Sequence, residues 1–265
     1  MSPRDRIRKV EALVISHRDF GEADRIVKLF TREEGKLNAI AKGARRMRSR
    51  KAAHLEPFTH TALILAVGRS FWIVTQADTI SDFPAIRANL QKTGQASYIL
   101  ELADLLSTEF QIDSGMYRLV LGTIQSLEKA ADAFNLLLHY ELRILDLAGF
   151  RPELFNCVIC QGEIQAESQY FSAGQGGVVC PQCGMAGGEK TIPAGVEALR
   201  YLRHFQRSPY RKVEGTNVPV KTKQALRHIL DLYIASITER KLNSSGFLSH
   251  INHIQSTNGE QTDIQ

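Results

Sequence analysis

The sequence lacks the short motifs that mark the common catalytic sites. No GxxxxGK[ST] loop is present to cradle phosphates, no GxGxxG follows a strand, and neither a GxSxG elbow nor an HExxH helix occurs. The histidines show no paired ligand spacing, and we interpret them as surface or capping residues. Asp19, Glu22 and Asp24 form one carboxylate cluster, which by itself gives little support for acid–base chemistry or Mg²⁺ binding. We therefore expect a protein that is not an enzyme.

The sequence also lacks a long apolar run. No stretch approaches the ~20 apolar residues that a membrane-spanning helix needs. The first residues, MSPRDR, are charged, and the apolar core segment of a signal peptide is lacking, so we expect no signal peptide. Hydrophobic residues make up 43% and charged residues 23% of the chain, an ordinary balance for a globular protein with one or two cores. We expect no membrane contact and a cytoplasmic location.

Cysteine is scarce, and its positions are informative. All four cysteines belong to two CxxC pairs, Cys157–Cys160 and Cys180–Cys183, with nineteen residues between the pairs. A CxxC turn places two sulfurs on one side of a tight loop, so two such turns can offer four thiolates to Zn²⁺ in a tetrahedron. Because protein atoms would fill all four positions, the metal would be structural and would leave no position for water or substrate.

Two other interpretations of the cysteines remain open at this stage. Paired disulfides would suit a secreted chain and a redox-active CxxC would suit a thioredoxin-like context, but neither context is visible in the sequence. The segment is rich in glycine, and we expect these residues to supply the positive φ angles of ligand-bearing turns. They are Gly162, Gly174, Gly176, Gly177, Gly184, Gly187 and Gly188.

Charge is distributed unevenly along the chain. The net charge is +5, which permits nucleic-acid binding without proving it. Basic residues outnumber acidic ones in 1–77 and again in 189–241, whereas acidic residues predominate in 78–153. We expect these regions to have separate roles.

The first part of the chain has the pattern of short strands. Apolar residues alternate with polar ones around Val10, Ala12 and Val14, which predicts a first strand. Further strands are predicted at Asp24–Thr31, Lys36–Ala41, Leu63–Val67 and Phe71–Thr75. The connections are too short for helical crossovers, so the five strands should close into a small barrel of OB type. An SH3-like barrel would show a similar periodicity.

After Pro84 the apolar residues recur at helical spacing. The predicted helices cover 94–110, 116–127, 134–145, 194–206 and 221–242, and the cysteine segment interrupts them. The predicted fold is α+β and multidomain, with an N-terminal OB-fold β-barrel and a C-terminal helical domain that embeds a four-cysteine zinc-ribbon module. The predicted limits are 1–80 for the barrel, 81–150 and 191–250 for the helical domain, 151–190 for the zinc module and 251–265 for a flexible tail.

The densest positive charge follows the third predicted strand. Lys42–Lys51 reads KGARRMRSRK and contains six basic residues and no acidic one. On a loop of an OB-type barrel these cations could follow a phosphate backbone, although a solvated basic loop is the alternative. The candidate nucleic-acid-binding residues are Lys42, Arg45, Arg46, Arg48, Arg50 and Lys51.

Two other features have competing interpretations. Phe71 and Trp72 could stack on bases, but one of two adjacent strand residues faces the core, and neither residue is assigned to the site. A second positive surface could form around a later helix, with a solvated helix face as an equal alternative. Its residues are Arg200, Arg203, Arg207, Arg211 and Lys212.

Several stretches resemble one bacterial family, and they do so in the family's order. His17–Thr31 (HRDFGEADRIVKLFT) is similar to the first signature of the RecO family of DNA-repair and recombination mediators. Ala41–Ser49 (AKGARRMRS) resembles that family's basic loop, with Met47 where a proline is common. The later matches are LEPF at 55–58, GFRP at 149–152, the four cysteines, and ERKLNSSGFL at 239–248.

The resemblance implies binding to single- and double-stranded DNA and annealing of complementary strands without nucleotide hydrolysis. It also implies RecR, the single-strand binding protein SSB and, indirectly, the RecA filament as partners, and it makes the six loop cations DNA contacts. Our expectation is a recombination mediator in DNA repair, acting at the nucleoid. The alternative is a zinc-ribbon transcription or RNA-binding factor, which would also be basic and catalytically empty.

Overall fold

The computed structural model describes residues 6–186 and 190–238. The described residues form two compact units, which divide between Ala130 and Ala131. Within those residues, no helix has both the length and the apolar character required to cross a membrane. The predicted tail at 251–265 and the last positions of the helix predicted at 221–242 lie outside the described residues.

Five strands form the barrel of the first unit. They are β1 (Ile7–Phe20), β2 (Asp24–Thr31), β3 (Gly35–Ala41), β4 (His60–Val67) and β5 (Trp72–Ser81). The strands close in the order β1-β2-β3-β5-β4, and β3 pairs with β5 in parallel whereas the other pairs are antiparallel. The prediction of an OB-like barrel is confirmed.

Alternate residues of the strands fill the barrel. Val10, Ala12 and Val14 of β1 are almost completely buried, as are Leu29 of β2 and Val74 of β5. This period of two follows from the pleat, which sends successive side chains to opposite faces of a strand. The alternating apolar residues that predicted β1 from the sequence are therefore the residues that β1 contributes to the barrel core.

Three helices share the compact unit of the barrel: α1 (Pro84–Ala88), α2 (Leu90–Leu106) and α3 (Ser114–Lys129). Asn89 and Asp113 begin α2 and α3, and each side chain accepts a backbone N–H of the first turn. Lys36 of β3 is buried and donates to the carbonyl of Ser107 at 2.7 Å, just beyond the end of α2. Its ammonium group also lies 3.2 Å from the carboxylate of Asp104, so one lysine fastens α2 to the barrel.

The second unit combines helices with a small sheet. Its elements are α4 (Phe134–Leu147), β6 (Gln169–Ser172), β7 (Gly177–Val179), α5 (Pro181–Met185), β8 (Thr191–Ala194), α6 (Val196–Arg207), α7 (Tyr210–Val213) and α8 (Val220–Thr238). Glu141 of α4 is fully buried and pairs with Arg227 of α8 at 2.8 Å. The sheet has the order β7-β6-β8. The helix predicted at 194–206 begins two residues later than expected, because Ala194 ends β8.

Candidate nucleic-acid interface and metal centre

The basic loop leaves β3 at Ala41 and is fastened to the turn between β1 and β2. Gly43 has a φ of +66°, and its N–H donates to the Asp24 carboxylate at 2.7 Å. The N–H of Arg45 donates to the carbonyl of Ala23 at 2.9 Å. Only glycine adopts such a positive φ without a steric penalty, so Gly43 sets the direction in which the loop leaves the barrel.

The six predicted cations fall into two groups. Four of them extend into solvent, and no described residue forms an ion pair or a side-chain hydrogen bond with any of the four. These are Lys42, Arg46, Arg48 and Arg50. Since each carries a full charge without an internal partner, all four remain available for an external anion.

Arg45 and Lys51 have partners within the barrel unit. The Arg45 guanidinium lies 3.1 Å from the Asp19 carboxylate and donates to the carbonyl of Gly21 at 3.3 Å. The Lys51 ammonium donates to the carbonyl of Val74 at 3.0 Å, and burial lowers its pKa. Both side chains hold the loop against the barrel, a role that the count of charges in the sequence did not reveal.

Phe71 and Trp72 differ in their environment. Trp72 packs against the buried residues of the barrel, whereas Phe71 belongs to the turn between β4 and β5 and lines a surface groove. Phe20, at the end of β1, lies in the same groove with 44% of its surface exposed. No pattern in the sequence selects Phe20, because it stands alone among polar residues.

The second positive surface is partly used inside its own unit. Arg203 donates to the carbonyl of Leu154 at 2.8 Å, and its guanidinium lies 5.0 Å from the centre of the Phe155 ring. Arg207 lies 3.7 Å from the same ring. These cation–π contacts attach the segment before the first cysteine pair to α6. Arg200 lies 3.6 Å from Glu197. Arg211 and Lys212 are therefore the exposed cations of this set whose side chains have no ion-pair or hydrogen-bond partner among the described residues.

The four cysteines meet at one point. The Sγ atoms of Cys157, Cys160, Cys180 and Cys183 all lie within 4.8 Å of one another, and those of Cys160 and Cys180 are 3.8 Å apart. A tetrahedron with Zn–S bonds of about 2.3 Å has edges of about 3.8 Å, which this separation matches. All four thiols are free, and 3.8 Å is far longer than a disulfide bond. The cluster therefore has the geometry of a metal site.

Local backbone geometry turns each cysteine pair toward the cluster. In the first pair the N–H of Gln161 donates to the carbonyl of Cys157 at 2.8 Å, and Gln161 has a φ of +61°. In the second pair Cys180 precedes α5, and the N–H of Gly184 returns to the carbonyl of Cys180 at 2.9 Å. Two tight turns, one irregular and one helical, thus present their sulfurs to the same volume.

The role expected for the glycines was largely wrong. Among the described members of that set only Gly176 has a positive φ, at +73°, and Gln161 occupies the left-handed position of the first turn. Gly177 and Gly184 serve close packing instead. A Cβ on Gly177 would lie 2.6 Å from the carbonyl of Glu153, and one on Gly184 would lie 2.4 Å from the Tyr170 ring. Gly187 and Gly188 lie outside the described residues.

The thiols fit a cation electrostatically. Burial raises the pKa of Cys157, but backbone N–H groups of Cys160, Cys180 and Ile159 outweigh burial and lower the pKa to about 6. The pKa of Cys183 is raised to about 12. The contact with Cys180 is the largest cause, and the thiolate of Cys157 and the other sulfurs contribute. Four thiolates cannot share this volume unless a positive ion neutralises them, and a metal cation could do so.

These features place the chain in a class of proteins that combine an OB-like barrel and its basic loop with a helical unit whose four clustered cysteines could hold a metal ion. Two family models match the chain. The one described as "Recombination protein O N terminal" matches residues 6–83, and "Recombination protein O C terminal" matches residues 87–246.

Curated relatives agree with this class. "DNA repair protein RecO" of Roseiflexus sp. (strain RS-1) is 35% identical over 96% of this chain and 89% of the relative. The proteins of the same name from Symbiobacterium thermophilum and Bacillus pumilus are 36% and 30% identical, over 90% and 95% of this chain and 95% and 97% of their own lengths. The chain belongs to the RecO family of DNA repair proteins, which confirms the resemblance found in the sequence.

Proposed function

We propose that this protein is a DNA-binding recombination mediator that anneals complementary strands without hydrolysing a nucleotide. The observation that carries the proposal is a group of four cations on the basic loop that have no partner among the described residues, in a chain that belongs to the RecO family. They are Lys42, Arg46, Arg48 and Arg50. The barrel type favours the same interpretation, because OB folds bind nucleic acids through their loops and grooves.

The physical basis is electrostatic. A strand that binds the basic loop exchanges its condensed counterions for arginine and lysine side chains, and the released ions supply most of the sequence-independent affinity. Two complementary strands repel each other through their phosphates. A protein surface that neutralises part of this charge lowers the barrier to pairing without any chemical step, so neither a nucleotide nor a catalytic residue is needed.

The resemblance to the family supports the partners. We propose that the protein works with RecR, acts on DNA covered by SSB, and thereby promotes loading of RecA, in the cytoplasm at the nucleoid. The exposed loop cations contact phosphates of single-stranded and double-stranded DNA alike, because both carry the same backbone charge.

We propose zinc as the metal of the cysteine cluster. Four thiolate ligands at tetrahedral spacing suit Zn²⁺, and with all four positions taken the ion would stabilise the fold of its own module without taking part in annealing. Cys157, Cys160, Cys180 and Cys183 would hold it.

An annealing assay on complementary strands coated with SSB tests the proposed function. The purified full chain should accelerate annealing in the absence of ATP and Mg²⁺, and it should bind single-stranded DNA and duplex DNA. A strict requirement for ATP would contradict the proposal. Preference for RNA over both forms of DNA, without annealing, would indicate the zinc-ribbon transcription or RNA-binding factor instead.

A further inference from the structure

A groove of about 810 Å³ lies on the outer surface of the barrel. Ile40 and Ile73, which are direct neighbours across β3 and β5, lie in this groove. Both are partly exposed, while Ala39 and Val74 next to them in sequence are buried in the barrel. The strand pleat therefore gives β3 and β5 an apolar outer face here as well as an apolar inner face.

Aromatic rings flank this apolar surface. Phe20 reaches it from the end of β1, and Phe71 reaches it from the turn between β4 and β5. Val67 adds further apolar surface and is 45% exposed. A contiguous exposed patch of this kind on a folded unit usually marks a binding site, because leaving it in water forgoes the free energy of burial.

The turn that carries Phe71 is tightly closed. The N–H of Gly68 donates to the carbonyl of Phe71 at 3.1 Å, and a Cβ on Gly68 would lie only 2.3 Å from the same oxygen. A larger residue at Gly68 would force the turn open. The backbone of Phe71 is therefore held in place before any ligand arrives, which reduces the entropy lost on binding.

The charges around the groove are all positive. Arg6, Lys42 and Arg69 line it, and none of its lining residues is acidic. Lys42 is also the first cation of the basic loop, so the groove and the loop form one continuous surface. A smaller groove, with a volume of about 340 Å³, shares the turn with its Phe71 and Arg69 and adds Phe110 and the carboxylate of Glu109. The larger groove thus has only cations among its charged lining residues, whereas the smaller one also contains the negative charge of Glu109.

We propose that the larger groove takes unstacked bases of single-stranded DNA against Phe20 and Phe71, while Lys42 and the basic loop hold the adjoining phosphates. Aromatic faces and a positive rim together match the two parts of a single-stranded nucleotide, its base and its phosphate. Bases inside a duplex are paired and stacked, so they cannot enter the groove. This inference rests on the proposed DNA binding and adds the element that separates single strands from duplexes.

The test compares binding of three probes by the full chain: a single-stranded oligonucleotide, a duplex of the same length, and a strand of the same length without bases. Phe71→Ala should weaken binding of the single strand about 5- to 150-fold, the range that corresponds to stacking of one base. Its binding to the duplex and to the strand without bases should stay within about twofold of the parent, and its salt dependence should not change, because no cation is lost.

Matched variants separate stacking from other effects. Phe71→Trp should retain single-strand affinity, whereas Phe71→Leu, which stays apolar but has no ring, should lose it. Phe20→Ala removes the more exposed ring and should also weaken single-strand binding, which covers the case in which Phe71→Ala fails to fold. Phe110→Ala, beside Glu109, should bind all probes like the parent.

Several results would overturn the assignment. Equal loss of single-strand and duplex affinity in Phe71→Ala, full affinity in Phe71→Leu, or an equal loss in Phe110→Ala would each do so. Unchanged DNA affinity in both Phe71→Ala and Phe20→Ala would also overturn it and leave the groove to a protein partner. If the parent bound none of the probes, the proposed DNA-binding function would itself fail. If the parent bound DNA and the variants bound it equally well, only the assignment of the groove would fail.

Discussion

The basic loop offers the sharpest test of the electrostatic interpretation. The change is replacement of Lys42, Arg46, Arg48 and Arg50 by alanine, which removes the four cations that have no partner among the described residues. Arg45 is left intact because its guanidinium pairs with Asp19 and holds the loop to the barrel. The variant therefore removes charge from solvent while it preserves the internal contacts of the loop.

The expected size of the effect follows from counterion release. The logarithm of the binding constant falls with the logarithm of salt concentration by about 0.7 for each phosphate contact on a single strand and about 0.9 on a duplex. If all four cations contact phosphates, the slope should shrink by roughly 3 units on a single strand and by roughly 3 to 4 on a duplex. The free energy of unfolding should change by less than about 0.5 kcal/mol for each site, because exposed loop charges contribute little.

Fluorescence anisotropy of labelled DNA, repeated over a series of salt concentrations, measures both slopes. A double variant, Arg45→Ala with Lys51→Met, is the matched control. It also removes cations from the loop, but its main expected effect is a lower melting temperature, because these two side chains bond to Asp19 and to the carbonyl of Val74. If the quadruple variant kept the parent's slope on both DNA forms, the loop would be only a solvated surface, and the electrostatic reasoning would be refuted.

Three further predictions concern the metal, the core and pH. One zinc should bind per chain, and elemental analysis that finds no metal in the reduced protein would contradict this. Cys160→Ser should increase hydrogen exchange mainly in 150–190, since metal binding there contributes folding energy. Lys36→Met should lower the free energy of unfolding by about 2 to 3 kcal/mol in denaturant titrations, because it removes the buried ammonium group that contacts Asp104 and the carbonyl of Ser107 at the end of α2. A loss below about 0.5 kcal/mol would show that the contact is dispensable. Burial would raise the pKa of Glu56, but its hydrogen bonds from His17 and Arg25 outweigh burial and lower it. The stabilisation by the ionised Glu56 carboxylate is therefore present above the usual carboxyl pKa and disappears as the pH falls through the lowered pKa. Glu56→Gln should reduce the melting temperature at neutral pH and match the parent in strong acid.

Much of the fold could be predicted because its causes are local. Alternation of apolar residues is a property of neighbouring positions, and it located β2 at Asp24–Thr31 and β3 to within one residue. The same holds for α4, whose apolar stripe begins at Phe134, where the helix begins. The spacing of the two CxxC pairs was sufficient to predict that four sulfurs would meet.

Predictions that depended on distant neighbours were less successful. The glycines near the cysteines were expected to relieve backbone strain, but Gly177 and Gly184 are needed because Glu153 and the Tyr170 ring approach too closely for a side chain. Composition shows that a segment contains glycine. It does not show which atoms, far away in the sequence, pack against each one.

The sequence alone predicts the strand and helix pattern, the meeting of the four cysteines and the concentration of positive charge after β3, because each depends on residue type and short spacing. Which loop cations have partners among the described residues depends on the tertiary structure. Arg45 and Lys51 are neutralised or anchored by Asp19 and Val74, residues more than twenty positions away that closure of the barrel brings within 3.1 Å. Closure of the barrel also assembles one groove from Phe20, Phe71 and the outer face of β3, and no local pattern in a chain can encode such a meeting.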